Sequence, residues 1–340
     1  MLPNFNLKNV AVAEPISFPQ SSPPGHEYLP NEPTYNPDVH LALEKPDYVY
    51  RLADFGYGSE VLTRCASDLA VTGPFRLLSE AGVAALHEVS LALQNYQKGC
   101  ERIPNMVRGA VYRSKFVRDF SLCPIVSQFL SEIVGHPLTA HSMPSMLGHL
   151  NFAPKDLSKA VDKWHTDTIN FDYVLMVSDP SQLEGGKFQY FKGTKEEGAE
   201  ILKYAADLDE DRIITPVFPS AGYAVLQQGS LVLHRATRLT RPAERITMVN
   251  GYVSLDVRFP DQSRFPDMRA LDQPEVLFPE WVRFKAWRSR SKLDALIKEL
   301  PFTDDRAAIC AALRDAIADV EAAIADIEDN SEIKMVYYGQ

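Results

Sequence analysis

The spacing of apolar positions changes character twice along the chain. From about Pro74, "FRLLSEAGVAALHEVSLALQNYQ" sets Leu77, Leu78, Val83, Leu86, Val89 and Leu93 three or four apart, which predicts a helix. A second helix is expected in "SLCPIVSQFLSEIVG", with Gly135 as its stop. Between 138 and 260 the pattern turns to short apolar runs separated by turn residues: "HLNF", "WHTDT", "DYVLMVS", "GKFQYF", "ITPVF", "GYAVLQ", "LVLHRAT" and "RITMVNGYVSL". Many short strands at this spacing predict a sandwich or double-sheet barrel. One acidic stretch, residues 194–212, reads as helical and interrupts them, either as a lid or as surface decoration, with decoration favoured.

After Pro260 helical spacing returns. "PEWVRFKAWRSRSKLDALIKEL" predicts a helix with Pro279 at its first position, and Trp281 and Trp287 packed on the barrel. A last helix is expected to open on Thr303 as N-cap with Asp304 and Asp305 in its first turn. Its stripe of Leu313, Ile317, Val320, Ile324 and Ile327 reads as a face docked on the core, with a homodimer left open. Residues 14–37 are crowded with proline and read as an extended arm. The expected plan is a mainly β core with flanking helices and no internal repeat. An arm (1–73) and a helical support (74–137) precede the core (138–260), and a helical region (261–340) follows, all in one globular unit.

Composition narrows the partners. The 340 residues are 45% hydrophobic and 24% charged, ordinary for a soluble globule. Net charge is −10 with no long Lys/Arg run, which disfavours nucleic acid. Cys65, Cys100, Cys123 and Cys310 form no CxxC pair, so a disulfide framework or thiolate metal site is not expected and a reducing compartment fits. "MLPNFNLKNVAVAEP" lacks the apolar core of a signal peptide, and no apolar run reaches the ~18–20 residues of a membrane span. The expectation is a cytoplasmic protein without a membrane partner.

Candidate chemistry sits in "KWHTDTINFDYVLMV". On a strand, positions i and i+2 share a face, so His165 and Asp167 would project together. Two histidines and one carboxylate make a facial iron triad with open positions. His234, at the end of the apolar run "SLVLH", is the candidate third ligand, and Arg245 follows eleven residues on. A lone HxD is a weak signal; in this strand context, with the later His and Arg, it is a specific one.

Together "WHTD", "EGGKFQYF", "AGYAVLQQGSLVLHRATRL" and "RITMVNGYV" resemble the Fe(II)/2-oxoglutarate-dependent dioxygenase superfamily, in texture its prolyl-hydroxylase-like branch, over residues 148–256. The resemblance implies a double-stranded β-helix (a jelly-roll, cupin-like barrel). It implies His165, Asp167 and His234 as Fe(II) ligands, Arg245 holding the far carboxylate of 2-oxoglutarate, and O2 as oxidant. Thr247, two residues on, would add a hydroxyl to that carboxylate. Gly185–Gly186 would allow a tight strand junction. The turn before Arg245 is one residue longer than the branch's usual pattern, which makes Arg241 the fallback. The plain alternative for Arg245 is a surface ion pair with Glu244.

The expected activity is oxidation, by default hydroxylation, of a small organic substrate, with release of succinate and CO2. Desaturation or ring closure would use the same cofactors. Strand alternation puts Arg238 on the His234 face, which suggests a carboxylate-bearing substrate such as an amino acid or a metabolite derived from one. The competing readings are a cupin-type metal enzyme without 2-oxoglutarate and a jelly-roll binding protein without catalysis. His141 and His149 lack a carboxylate or cysteine at ligand spacing and read as structural, and "FGYGSE" reads as a turn.

Overall fold

The computed structural model describes residues 13–331 and 335–338; the first twelve residues of the expected arm, which lack a signal-peptide core, lie outside them. The strands run β1 (Val49–Arg51), β2 (Leu69–Thr72), β3 (Phe75–Arg76), β4 (Met106–Val107), β5 (Leu138–Ala140), β6 (His149–Phe152), β7 (Asp162–His165), β8 (Phe171–Met176), β9 (Phe188–Phe191), β10 (Ile213–Ile214), β11 (Tyr223–Gln227), β12 (His234–Ala236) and β13 (Ile246–Ser254). Two antiparallel sheets result. The larger has the order β1-β2-β11-β8-β13-β6-β4, with β3 added on β11 and β5 on β13. The smaller is β10-β9-β12-β7, and no ladder joins the two among the described residues.

Alternation along β8 sets the layers. Phe171, Tyr173 and Leu175 face the helices α3 (Glu80–Leu93), α4 (Lys115–Ser121) and α5 (Pro124–Val134), in one apolar cluster with Leu226, Met248 and Tyr252. Val174 and Met176 point the other way, toward Phe188 and Tyr190 of the smaller sheet. Each fully buried side chain of this size contributes about 1.5–3 kcal/mol. Because both faces of β8 are covered, its third inward position, Asp172, is 0% exposed between the sheets.

Helix ends follow local chemistry. Ser79 caps α3 by accepting from Gly82 N, so the helix begins at Glu80; Phe75 and Arg76, expected to be helical, pair with β11 instead. α5 opens on Pro124 and stops at Gly135, which takes φ +70° as its sequence suggested. The proline-rich stretch does lie extended, with Phe18, Leu29 and Tyr35 against the main core, up to the short α1 (Pro37–His40). The arm reading does not extend through residue 73, however. β1 and β2 form the edge of the large sheet, with α2 (Ser59–Leu62) between them.

The acidic interruption contains α6 (Lys195–Leu202), capped by Thr194. Leu202 and Leu208 pack with Trp164, Phe191 and Leu233 on the outside of the smaller sheet. None of 194–212 lines the cavity described below, which agrees with decoration rather than a lid.

The C-terminal helices depart from expectation in three ways. After α7 (Phe265–Arg269), α8 (Pro274–Glu299) starts on Pro274, so Pro279 lies inside it. α9 (Arg306–Glu328) is capped by Asp305, which accepts from Ala308 N; Thr303 accepts from Asp305 N, one step earlier. Most of the apolar stripe of α9 is not docked: Leu313, Ile317, Val320 and Ile324 are exposed, and Ile327 alone of the five packs on the core, in the cluster of Trp281. The buried face is Ala316, Asp319 and Ala323, because α9 lies against α8 where small residues allow close approach and Asp319 meets Arg288, Lys285 and Lys292. Trp281 and Trp287 are buried as expected, with Phe284, Met143 and Val253. Among the described residues no helix is long and apolar enough to cross a membrane.

Candidate metal centre

A cavity opens between the two sheets, and His165 and His234 meet in its wall. His165 ends β7 and His234 begins β12, and the antiparallel register sets them directly opposite, ring centroids 4.1 Å apart. His165 Nδ1 lies 2.7 Å from Lys163 O and His234 Nδ1 2.9 Å from Val232 O. Donation to these carbonyls keeps the proton on Nδ1 and turns both Nε2 lone pairs to one point.

Asp167 completes the group by a route the strand argument did not anticipate. β7 ends at His165, so Asp167 lies in the following turn, where its N–H donates to Gly229 O at 2.8 Å. Its Oδ1 is 3.5 Å from His165 Nε2 and its Oδ2 3.2 Å from His234 Nε2. Ligand atoms of all three residues fall within 4.8 Å of one another. Two imidazoles and one carboxylate suit a first-row divalent ion such as Fe(II).

Charges in the group are distributed unevenly. Burial alone would raise Asp167, but His234 and His165 hold its carboxyl well below the ordinary range. Burial opposes and Asp167 favours the imidazolium of His234, whose pKa is raised on balance; burial and Arg102 lower that of His165. Asp172 is driven the other way, well up, by burial and then by Asp167 beside it. Gln227, 0% exposed, bridges the two carboxyls: its Nε2 donates to Asp167 Oδ2 and Asp172 Oδ1, each at 3.0 Å. A Cβ on Gly229 would collide with Oδ2 of both aspartates, so this turn requires glycine.

Arg245 is buried at 2% exposure in the same cavity, immediately before β13. Its Nε donates to Gly186 O at 2.6 Å and its Nη1 lies 3.5 Å from Thr247 Oγ1. No carboxylate pairs with it among the described residues; Glu244 pairs with His87 instead. Burial lowers its pKa to about 10. Gly185 and Gly186 both take positive φ, +79° and +62°.

Other expected residues fall elsewhere. Arg238 is exposed and does not line the cavity, because β12 ends at Ala236 and the Arg238 carbonyl turns to accept from Gly186 N. That corrects its assignment to the substrate side. Arg241 is exposed and pairs with Glu184, so it is no substitute for Arg245. His141 is buried without metal partners, its Nδ1 accepting from Met143 N. His149 lines the cavity, 2.6 Å from Asn151 Oδ1 and 3.3 Å from Arg108 Nη1, which the structural reading of this residue missed. Arg102, Arg108, Asn151, Asp172 and Gln227 were also missed. The only signal was an aspartate in the apolar run "NFDYVLM" and a glutamine closing "YAVLQ".

No family model matches the chain, and no curated protein matches it in sequence. Among solved structures it is similar to the non-heme α-ketoglutarate-dependent epimerase SnoN from nogalamycin biosynthesis, at 15% identity over 54% of this chain and 78% of that chain, TM-score 0.40. It is also similar to HygX from Streptomyces hygroscopicus with iron bound (14% identity, 58% and 87% covered, TM-score 0.41). A third is the nickel complex of the non-heme monooxygenase ThoJ (12% identity, 76% and 96% covered, TM-score 0.39). The side chains of the site, and not this likeness, carry the functional argument.

Proposed function

We propose that the protein is an Fe(II)- and 2-oxoglutarate-dependent oxygenase acting on a small organic substrate, its two sheets forming the halves of a double-stranded β-helix. The observation that carries the reading is the pairing of a His–Asp–His group with a buried, unpaired Arg245 in one cavity. A buried guanidinium without a carboxylate is costly unless an anion joins it.

On this reading His165, His234 and Asp167 hold Fe(II), and Gln227, donating to both Asp167 and Asp172, fixes the direction of the Asp167 carboxylate. Arg245 offers a planar fork to the distal carboxylate of 2-oxoglutarate, and Thr247 adds a hydroxyl. Val174, Phe188 and Val249 line the cavity and exclude water. Bound iron would supply O2 activation coupled to decarboxylation. The balance is R–H plus 2-oxoglutarate plus O2 to R–OH plus succinate plus CO2, one oxygen atom entering the substrate and the other the new carboxylate. Hydroxylation is the default outcome with Asp167 in place, and a carboxylate-bearing metabolite is the substrate class we favour, though not by way of Arg238.

Succinate formation from 2-oxoglutarate with added Fe(II) tests the proposal. Turnover lost in His165→Ala, Asp167→Ala and His234→Ala supports it. Metal-dependent activity that ignores 2-oxoglutarate would favour a cupin-type enzyme. Metal and 2-oxoglutarate binding without turnover would favour a binding protein.

A further inference from the structure

Resting on that reading of the inner cavity, the charges around it restrict where a substrate anion is held. Three of the four arginines lining it are already neutralised: Arg102 by Asp162, Arg108 by Asp272 and Arg235 by Asp207, at 2.5 to 2.8 Å. The fourth, Arg245, is taken by 2-oxoglutarate. Burial and the adjacent Arg108 lower the pKa of His149 to about 3, so it adds no charge. A divalent ion with Asp167, Arg245 and the dianionic cosubstrate sums to zero. The remaining surface is uncharged, with Asn151 and Thr168 beside the apolar Ile103, Met146, Ile169 and Leu271.

A second cavity shares Arg108 and Leu271 with the first as a common wall. It is lined by Lys98 and Arg113, and neither has an ion-pair partner among the described residues. The Arg113 guanidinium carbon lies over the Tyr96 ring, 4.1 Å from its centroid, a contact that uses none of its N–H groups. The arm supplies the facing wall through His26, set against Tyr112. His26, Lys98 and Arg113 line this cavity together, and burial first, then the charges of Arg113 and Lys98, hold the His26 imidazole below its ordinary value.

We propose that this outer chamber is an anion subsite: the substrate presents an uncharged part to the metal side and anchors a carboxylate or phosphoryl group on Arg113 and Lys98. Tyr96 and Tyr112 would cover an apolar or aromatic linker between the two ends.

The test is titration calorimetry of the full-length protein with phenyl phosphate, benzoate and benzyl alcohol, with and without Ni(II) plus 2-oxoglutarate. Both anions should bind at least tenfold tighter than the alcohol. Tighter phenyl phosphate assigns a phosphoryl ester, and tighter benzoate a carboxylic acid. Lys98→Glu, at an exposed position that the fold tolerates, and Arg113→Ala should each weaken anion binding at least tenfold, and Arg113→Lys should restore part of it. Equal binding of benzyl alcohol, or anion binding indifferent to both variants, overturns the subsite. Anion binding that depends on Arg113, in a protein that never forms succinate with Fe(II), would sink the oxygenase reading and leave the subsite standing.

Discussion

Gly186 and Arg245 compete for one volume: a Cβ on Gly186 would lie 2.9 Å from Arg245 Cδ and 3.3 Å from its Nε. The same glycine offers the carbonyl that Arg245 Nε donates to, so the backbone at this turn is the seat of the guanidinium.

Gly186→Ala should therefore act on the site as well as the fold. Its φ of +62° costs an L-residue about 1–2 kcal/mol, and the crowding adds on the order of 1–3 kcal/mol. We expect a lower urea midpoint and a 2-oxoglutarate affinity reduced more than tenfold. Unchanged cosubstrate affinity would separate Gly186 from the Arg245 function.

Metal binding is the next expectation. Ni(II) titration should give one equivalent, and alanine at His165, Asp167 or His234 should remove tight binding while circular dichroism stays native. Gly229→Ala should weaken Ni(II) at least tenfold, since its methyl group would push on Asp167. If Gly229→Ala bound Ni(II) as the wild type does, Asp167 would not be the carboxylate ligand.

Arg245 carries a cost that its partner removes. Its pKa is lowered from the ordinary guanidinium value to about 10, so the penalty for the cation is full below pH 10 and shrinks as pH rises above it. Arg245→Leu should leave the protein without cosubstrate no less stable than wild type. Saturating 2-oxoglutarate should raise wild-type stability by about 3 kcal/mol at a hundred times Kd, and Arg245→Leu hardly at all. Lys should recover part of the increment and Arg241→Leu should keep all of it. Thermal shift with and without cosubstrate decides the matter.

His141 should make the fold acid-sensitive. It is 1% exposed, and burial lowers its pKa to about 4. The unfolded chain takes up the proton near 6.5 while the folded one does not, so stability present above pH 6.5 is lost as pH falls toward 4. The loss amounts to about 3 kcal/mol for this residue. In His141→Asn, whose amide oxygen still accepts from Met143 N, urea midpoints should vary less between pH 7 and 4. An identical pH slope would refute a neutral, buried His141.

On α9, the buried charge should matter more than the exposed stripe. Asp319→Ala would leave the buried Arg288 without its carboxylate, while Lys285 keeps Asp261, and should cost about 3–5 kcal/mol. Ile324→Lys, at 53% exposure, should stay within about 0.5 kcal/mol by denaturation. The reverse order would mean that the stripe is covered in solution.

Sequence alone determined the elements whose signals are local. The α5 stop at Gly135, the strand texture of 138–260, the paired glycines and the HxD were readable from spacing and residue type, and the family resemblance joined His234 and Arg245 to them. Tertiary structure decided everything that depends on where a strand or helix meets its neighbour. Asp167 reaches the two imidazoles from a turn held by Gly229, not from the strand face that spacing suggested. Arg238 leaves the cavity because ladder pairing ends at Ala236 and its carbonyl is drawn to Gly186. Arg102 and Arg108 reach the cavity from some sixty residues before His165, Asn151 and Asp172 from β6 and β8, and Gln227 of β11 meets both carboxyls behind it. On α9, hydrophobicity pointed to Leu313 and Ile317. Close approach to α8 selected Ala316 and Ala323 instead, because interhelical distance is set by side-chain size and not by side-chain polarity.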